Sequence, residues 1–159
     1  MRVEIDQSGK IENTNRATVI AFANEISYAI LIPAKVKRQL QEVFRRQGKP
    51  RLFVYKTFAA GLFLLINGHL AKIKDIVIDT EYTGHEKQIK DILLELIRRD
   101  RLPEPNIYFQ RIGGKPKVHY VAHDVFSKKK NADKVIGFEE IVVLVTKKDR
   151  GHQRRLKNA

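Results

Sequence analysis

Apolar and polar positions along the first third of the chain follow a period of two. Residues 2–6 alternate, and Asp6-Gln7-Ser8-Gly9 then supplies turn chemistry. Residues 18–23 and 28–32 are β-branched or aromatic runs separated by Asn24-Glu25, which predicts three strands in an antiparallel meander. From Pro33, a suitable first helical residue, the period lengthens: Val36, Leu40, Val43 and Phe44 recur at helical spacing and Gly48 is placed as a C-terminal cap. Residues 51–55 read as a short strand, and residues 57–73, apolar nearly throughout, as a buried helix interrupted near Asn67-Gly68. Residues 75–82 carry the β-branched run of a buried parallel strand. Behind it Ile89, Ile92, Leu93, Leu96 and Ile97 mark one helical face, with Thr83 and Glu86 spaced as its capping box. Pro103 and Pro105 break the chain before a strand at 107–112, and Gly113-Gly114-Lys115-Pro116 leads into a helix starting near Lys117. A basic linker (128–131), one further apolar element (135–145) and a basic tail (147–159) follow. The expectation is an α/β domain over residues 1–146 with a mixed five-stranded sheet, three antiparallel strands and then parallel ones, flanked by helices.

Composition narrows the chemistry. Cysteine is absent from the 159 residues, which excludes disulfides, thiolate metal sites and a cysteine nucleophile, so any metal must be held by Asp, Glu or His. Thirty-one Lys and Arg against eighteen Asp and Glu leave a formal charge of +13, pointing to an anionic partner, nucleic acid above all. The apolar stretch 57–66 is far shorter than the roughly 20 residues of a membrane span, and the N-terminus opens on a charged strand pattern instead of a signal peptide. A cytoplasmic protein without membrane contact is expected. The 31% of charged residues is compatible with a thermophilic source.

Three segments offer ligands for hard divalent cations, which prefer carboxylate oxygens. Asp6 closes the first predicted strand on the face that Glu4 shares; its alternative role is to open an Asp-x-Ser-Gly turn. Asp79 ends the run Ile76-Val77-Ile78, and Glu81 shares its face if the strand continues. Carboxylates at the end of a buried strand are costly unless they bind something. Helix capping is the competing role for Asp79, but Thr83 and Glu86 have the better spacing for it. The last major helix offers His119, His123 and Asp124. With Val118, Val121, Ala122 and Val125 buried, the two histidines fall on one flank and Asp124 on the other, and the i, i+4 histidines are also able to clasp one metal.

The run Asp79-Thr80-Glu81-Tyr82-Thr83-Gly84-His85-Glu86-Lys87-Gln88 resembles the second catalytic segment of Argonaute PIWI nuclease domains, which have ribonuclease H folds. Lys115-Pro116-Lys117-Val118-His119-Tyr120-Val121-Ala122-His123-Asp124 is similar to their closing segment, and Val3-Glu4-Ile5-Asp6 to their opening strand. The resemblance covers most of residues 1–127 and implies a ribonuclease H-like nuclease using Mg²⁺ or Mn²⁺. Asp6, Asp79, His123 and Asp124 are then its catalytic positions and Glu81 a further metal ligand. By that match the last ligand is His123, or Asp124 with the register shifted by one, with His119 a third candidate. The chain has no room for the guide-binding lobes of an Argonaute, so a guided mechanism is not implied. Ribonuclease H places a Glu on its first helix; here Glu42 should face solvent, leaving Glu81 as the substitute. The chain also resembles small archaeal ribonuclease H-fold proteins that trim single strands, which implies 3′-to-5′ exonuclease activity on DNA or RNA.

Around these positions Arg111, Lys115 and Lys117 enter the final helix and Lys128, Lys129 and Lys130 leave it, while Arg154 and Arg155 lie in the tail. Such cations bind phosphates without reading sequence. Tyr82, Tyr108 and Tyr120 are candidates to stack on unpaired bases, against packing as their ordinary role. Gly113-Gly114-Lys115 lacks phosphate-loop spacing. Two other classes of function fit the same features: a non-catalytic nucleic-acid-binding module of this fold, and a basic subunit of an RNA-rich assembly whose 135–145 segment joins subunits. A homo-oligomer is compatible with each.

Overall fold

The structure is a computed structural model that describes residues 1–146; the predicted tail, with Arg154 and Arg155, lies outside the described residues. The three N-terminal strands form as the alternation predicts: β1 (Arg2–Ser8), β2 (Thr18–Ala23) and β3 (Ser27–Ile32), paired antiparallel in sequence. Helix α1 (Ala34–Arg46) follows, then a 3₁₀ turn at Pro50–Leu52 that runs into α2 (Phe53–Ile66). The predicted strand at 51–55 is therefore a correction. Pro50, with no N–H to give a strand ladder, opens the turn, and the apolar run behind it carries helix through Val54 and Tyr55.

Strand β4 (Asp75–Asp79) pairs parallel with β1, and β5 (Asn106–Gln110) parallel with β4, with α3 (Glu86–Arg99) between them in sequence. After α4 (Lys117–Phe126), the two-residue β6 (Lys134–Val135) pairs parallel with β3, and α5 (Phe138–Thr146) ends the described chain. The sheet order is β5-β4-β1-β2-β3-β6. It has six strands where five were expected, and only β2 runs against the others. The single apolar element expected at 135–145 is thus two, divided at Ile136-Gly137.

Both faces of the central strands are covered, which is why β2 is buried along its whole length. On one face α2 approaches closely through Gly61, where an added Cβ would lie 2.7 Å from Cδ1 of Ile20. On the other, Val118, Ala122 and Val125 of α4 pack on Val19, Ala21, Ala23 and Ala29, small side chains that admit a helix at short range. Among the described residues no helix is long and apolar enough to cross a membrane.

Candidate metal centre

The parallel pairing of β1 with β4 sets Ile5 opposite Ile78. The residues that follow each, Asp6 and Asp79, therefore face the same side of the sheet on adjacent strands. Asp6 does not open a turn, because β1 continues to Ser8 and the reversal comes at Gly9, whose φ of 82° places it in the left-handed region. An added Cβ there would run into the Ala17 carbonyl oxygen. Asp79 does not cap α3, which starts seven residues later; its Oδ1 accepts a hydrogen bond from the Ile112 N–H at 2.8 Å.

Strand pairing stops at Asp79, yet Glu81 still reaches the cluster because Tyr82 pins the following segment. Its hydroxyl accepts from Gln7 Nε2 at 3.0 Å and from the Ile11 N–H at 3.1 Å, and Phe58 and Tyr55 meet the ring edge-on. Burial pushes the Tyr82 phenol up to about 12, consistent with a fixed neutral anchor. Asp6, Asp79 and Glu81 thus offer one oxygen each, all within 4.8 Å of one another. They line a cleft of about 240 Å³ together with Ile112, Gly114, Pro116 and His119.

The chain matches no family model, no curated protein and no solved structure. Fold alone would not assign a function in any case, so the side chains of the cleft carry the argument.

Electrostatically the cluster is under-compensated. Burial raises the carboxyl of Asp6 above its ordinary value; Asp79 pushes the same way, while the Gln7 N–H and His119 pull against it. Glu81 is raised to about 7 by burial first, then by Asp6 and Asp79, and only Lys10 opposes. The basic side chain within contact distance is an imidazole: His119 Nδ1 lies 3.5 Å from Asp6 Oδ2. Converging carboxylates that repel one another, with half-buried oxygens turned to a cleft, suit a hard divalent cation.

The last helix differs from the motif-based expectation. Pro116 caps α4, which sets His119 in its first turn over the end of β1. His123 stacks parallel to His119 with ring centroids 5.8 Å apart but is exposed one turn farther along, outside the cleft lining. Asp124 also lies outside that lining, and its main-chain carbonyl receives the Lys129 and Lys130 N–H groups. The geometry brings His119 to the cluster in place of both. Glu42 faces solvent and pairs with Arg46 at 3.1 Å, so α1 contributes no carboxylate. Arg111, Lys115, Lys117 and Lys128 to Lys130 are exposed. Sequence reasoning missed the roles of Gln7, Tyr82 and the Ile112 N–H; a Tyr directly after a carboxylate pair gives no signal until its partners are known.

Proposed function

We propose that the chain is a divalent-metal-dependent nuclease of ribonuclease H-like fold that hydrolyses phosphodiester bonds in single-stranded DNA or RNA. One observation carries the reading: three carboxylates from two distant segments, Asp6 from one and Asp79 with Glu81 from the other, converge within 4.8 Å at one end of parallel strands, beside an imidazole from α4. Delivery from the first strand, from its parallel neighbour and from a late helix is the arrangement that the resemblance implies. The charge of +13 supports an anionic polymer as substrate.

Asp6, Asp79 and Glu81 would hold Mg²⁺ or Mn²⁺, with His119 at the rim. Bound there, the ions supply the charge that polarises the phosphodiester and acidifies a water. The protein's own part is positional. Ile112 fixes Asp79 through its N–H, Tyr82 fixes the segment bearing Glu81, and His119 offers a nitrogen that binds or passes a proton beside Asp6. The resemblance to small archaeal exonucleases favours 3′-to-5′ removal from a free end.

The test is cleavage of single- and double-stranded DNA and RNA, each labelled at one end or the other. Wild type should cut single strands in Mn²⁺ and not in EDTA. Asp6→Asn and Asp79→Asn should each lose on the order of 100-fold or more in rate, since carboxylates that hold the ions account for several kcal/mol of transition-state stabilisation. Cleavage that persists in EDTA, or at the wild-type rate in both variants, contradicts the reading. Nucleic-acid binding with no product in any metal would favour the non-catalytic module.

A further inference from the structure

Helix α4 packs on β1, β2 and β3 and leaves the β5 margin of its face of the sheet open, while Val77 of β4 is buried. On β5, Asn106, Tyr108 and Gln110 point to that side and all three are exposed, while Ile107 on the opposite side is buried. Register places the open side in three rows. Gln110 stands beside Asp79, Tyr108 beside Val77 and Glu4, and Asn106 beside Asp75 and Arg2. The acidic cluster forms the end of this surface, and in its middle row Tyr108 is exposed beside the buried Val77.

Packing accounts for only part of Tyr108, whose register neighbour Val77 is buried. Its surface is 49% exposed. Among the described residues no ring stacks on it and no group hydrogen-bonds its hydroxyl. The other tyrosines are occupied: Tyr28 lies against Phe22 and His69, Tyr55 against His85, Tyr82 against Phe58, and Tyr120 edge-on to His119. By strand spacing, Tyr108 lies one strand across and two residues back from Asp79, ~8 Å between Cα atoms. The surface is also flanked by cations. A cleft of about 290 Å³ adjoins the acidic one, sharing Pro116 and Val118 with it, and carries Arg2, Glu4 and Lys117 on its walls, the Lys117 ammonium donating to the Asn24 carbonyl at 3.0 Å. Exposed Arg111 directly follows Gln110.

We propose that this open margin of the sheet is a stacking platform for single-stranded nucleic acid. A base next to the phosphate held at the acidic cluster lies on the Tyr108 ring, and Arg2 and Lys117 take neighbouring phosphates. The placement of that phosphate rests on the nuclease reading; the platform itself rests on the exposed ring of Tyr108 and on the exposed cations Arg2, Arg111 and Lys117 at its margin, since the rows themselves carry Glu4 and Asp75 as well as Arg2. Unpaired bases can offer a face to the ring and paired, stacked ones cannot, so the platform selects single strands. It reads little sequence, because every base has such a face.

The experiment measures binding, so that it stands apart from cleavage. Fluorescein-labelled oligothymidylate and oligouridylate are titrated in Ca²⁺ with the full chain, alongside abasic strands of the same length and a duplex. Tyr108→Ala should bind both base-bearing strands roughly 5- to 150-fold more weakly than wild type, and Tyr108→Phe should bind as wild type does. On abasic strands and on duplex, Tyr108→Ala and wild type should be equal. A loss on one base-bearing strand only identifies which sugar the platform accepts and supports it. In the wild-type chain, strands carrying 5-iodouracil should photo-cross-link at Tyr108. Unchanged affinity of Tyr108→Ala for both base-bearing strands, an equal loss on the abasic strand, or cross-links mapping only elsewhere would overturn the platform. Failure of the nuclease reading shows separately, as absence of product from the wild-type chain.

Discussion

Glu81 is the residue on which proton, fold and the capacity to hold a metal meet. Its carboxyl is raised from 4.5 to about 7 by burial and by the neighbouring Asp6 and Asp79, so the folded chain holds this proton more tightly than the unfolded chain does. For an acid shifted upward, the resulting stability is complete below pH 4.5 and is lost as pH rises to about 7. Without metal, the melting temperature should fall through that window, Glu81→Gln should flatten the fall, and Mn²⁺ should raise stability most at its upper end, where the site is ionised. Melting curves across this range with and without Mn²⁺ check it; an undiminished fall in Glu81→Gln would show that another group is responsible. Asp6 and Asp79 were legible in the sequence because carboxylates at the end of a buried β-branched run are expensive, whereas Glu81 was expected there through a continuing strand and arrives instead through the segment that Tyr82 pins. The imidazole that lies beside Asp6 was not legible. Motif likeness favoured His123 and Asp124, but where Pro116 starts the helix decides which turn overlies β1, and one turn along the axis is about 5.4 Å.

Among elements, α1 and the β1–β2 loop show how a local pattern can mislead. Periodicity marks Val36, Leu40 and Phe44 as the inner face of α1, and the structure agrees, but it also buries Lys37 completely. The Lys37 ammonium donates to the carbonyls of Lys10 and Asn13, at 3.0 and 2.6 Å, and to Thr18 Oγ1 at 3.0 Å. It thereby ties α1 to the loop whose Ile11 N–H holds Tyr82, and burial lowers its pKa to about 8. Hydropathy scores lysine as a surface residue, so nothing in the pattern announces this clamp. Lys37→Met fills similar volume and leaves buried acceptors unsatisfied. It should cost about 2–4 kcal/mol in urea unfolding, and a cost below about 1 kcal/mol would mean that the loop holds itself. The capping box at Thr83 and Glu86 is a similar case. Helix α3 begins at Glu86 after a turn at Gly84 with φ 88°, and its cap position, His85, instead stacks on Tyr55 with ring centroids 4.0 Å apart.

At the scale of the whole molecule, the layered α/β plan was readable from alternation followed by helical periods, since long amphipathic segments constrain where each face must go. Strand β6 was not readable, because two residues carry no period and its pairing depends on Asp133, whose carboxylate receives the Ala29 N–H at 2.8 Å. The excess of basic residues surrounds a local concentration of acid, and that contrast needs an explanation. An unneutralised carboxylate cluster repels phosphate, so a surface that would attract a nucleic acid and a cleft that would act on it are compatible only when divalent ions occupy the cleft. Uptake of Mn²⁺ by the full chain, followed through loss of the free-ion electron paramagnetic resonance signal, is the most direct test of that claim. Wild type should remove Mn²⁺ from solution in the micromolar to millimolar range, and the double variant Asp6→Asn with Asp79→Asn should leave it free. Equal uptake by the two proteins, or none by wild type at millimolar Mn²⁺, would contradict the account.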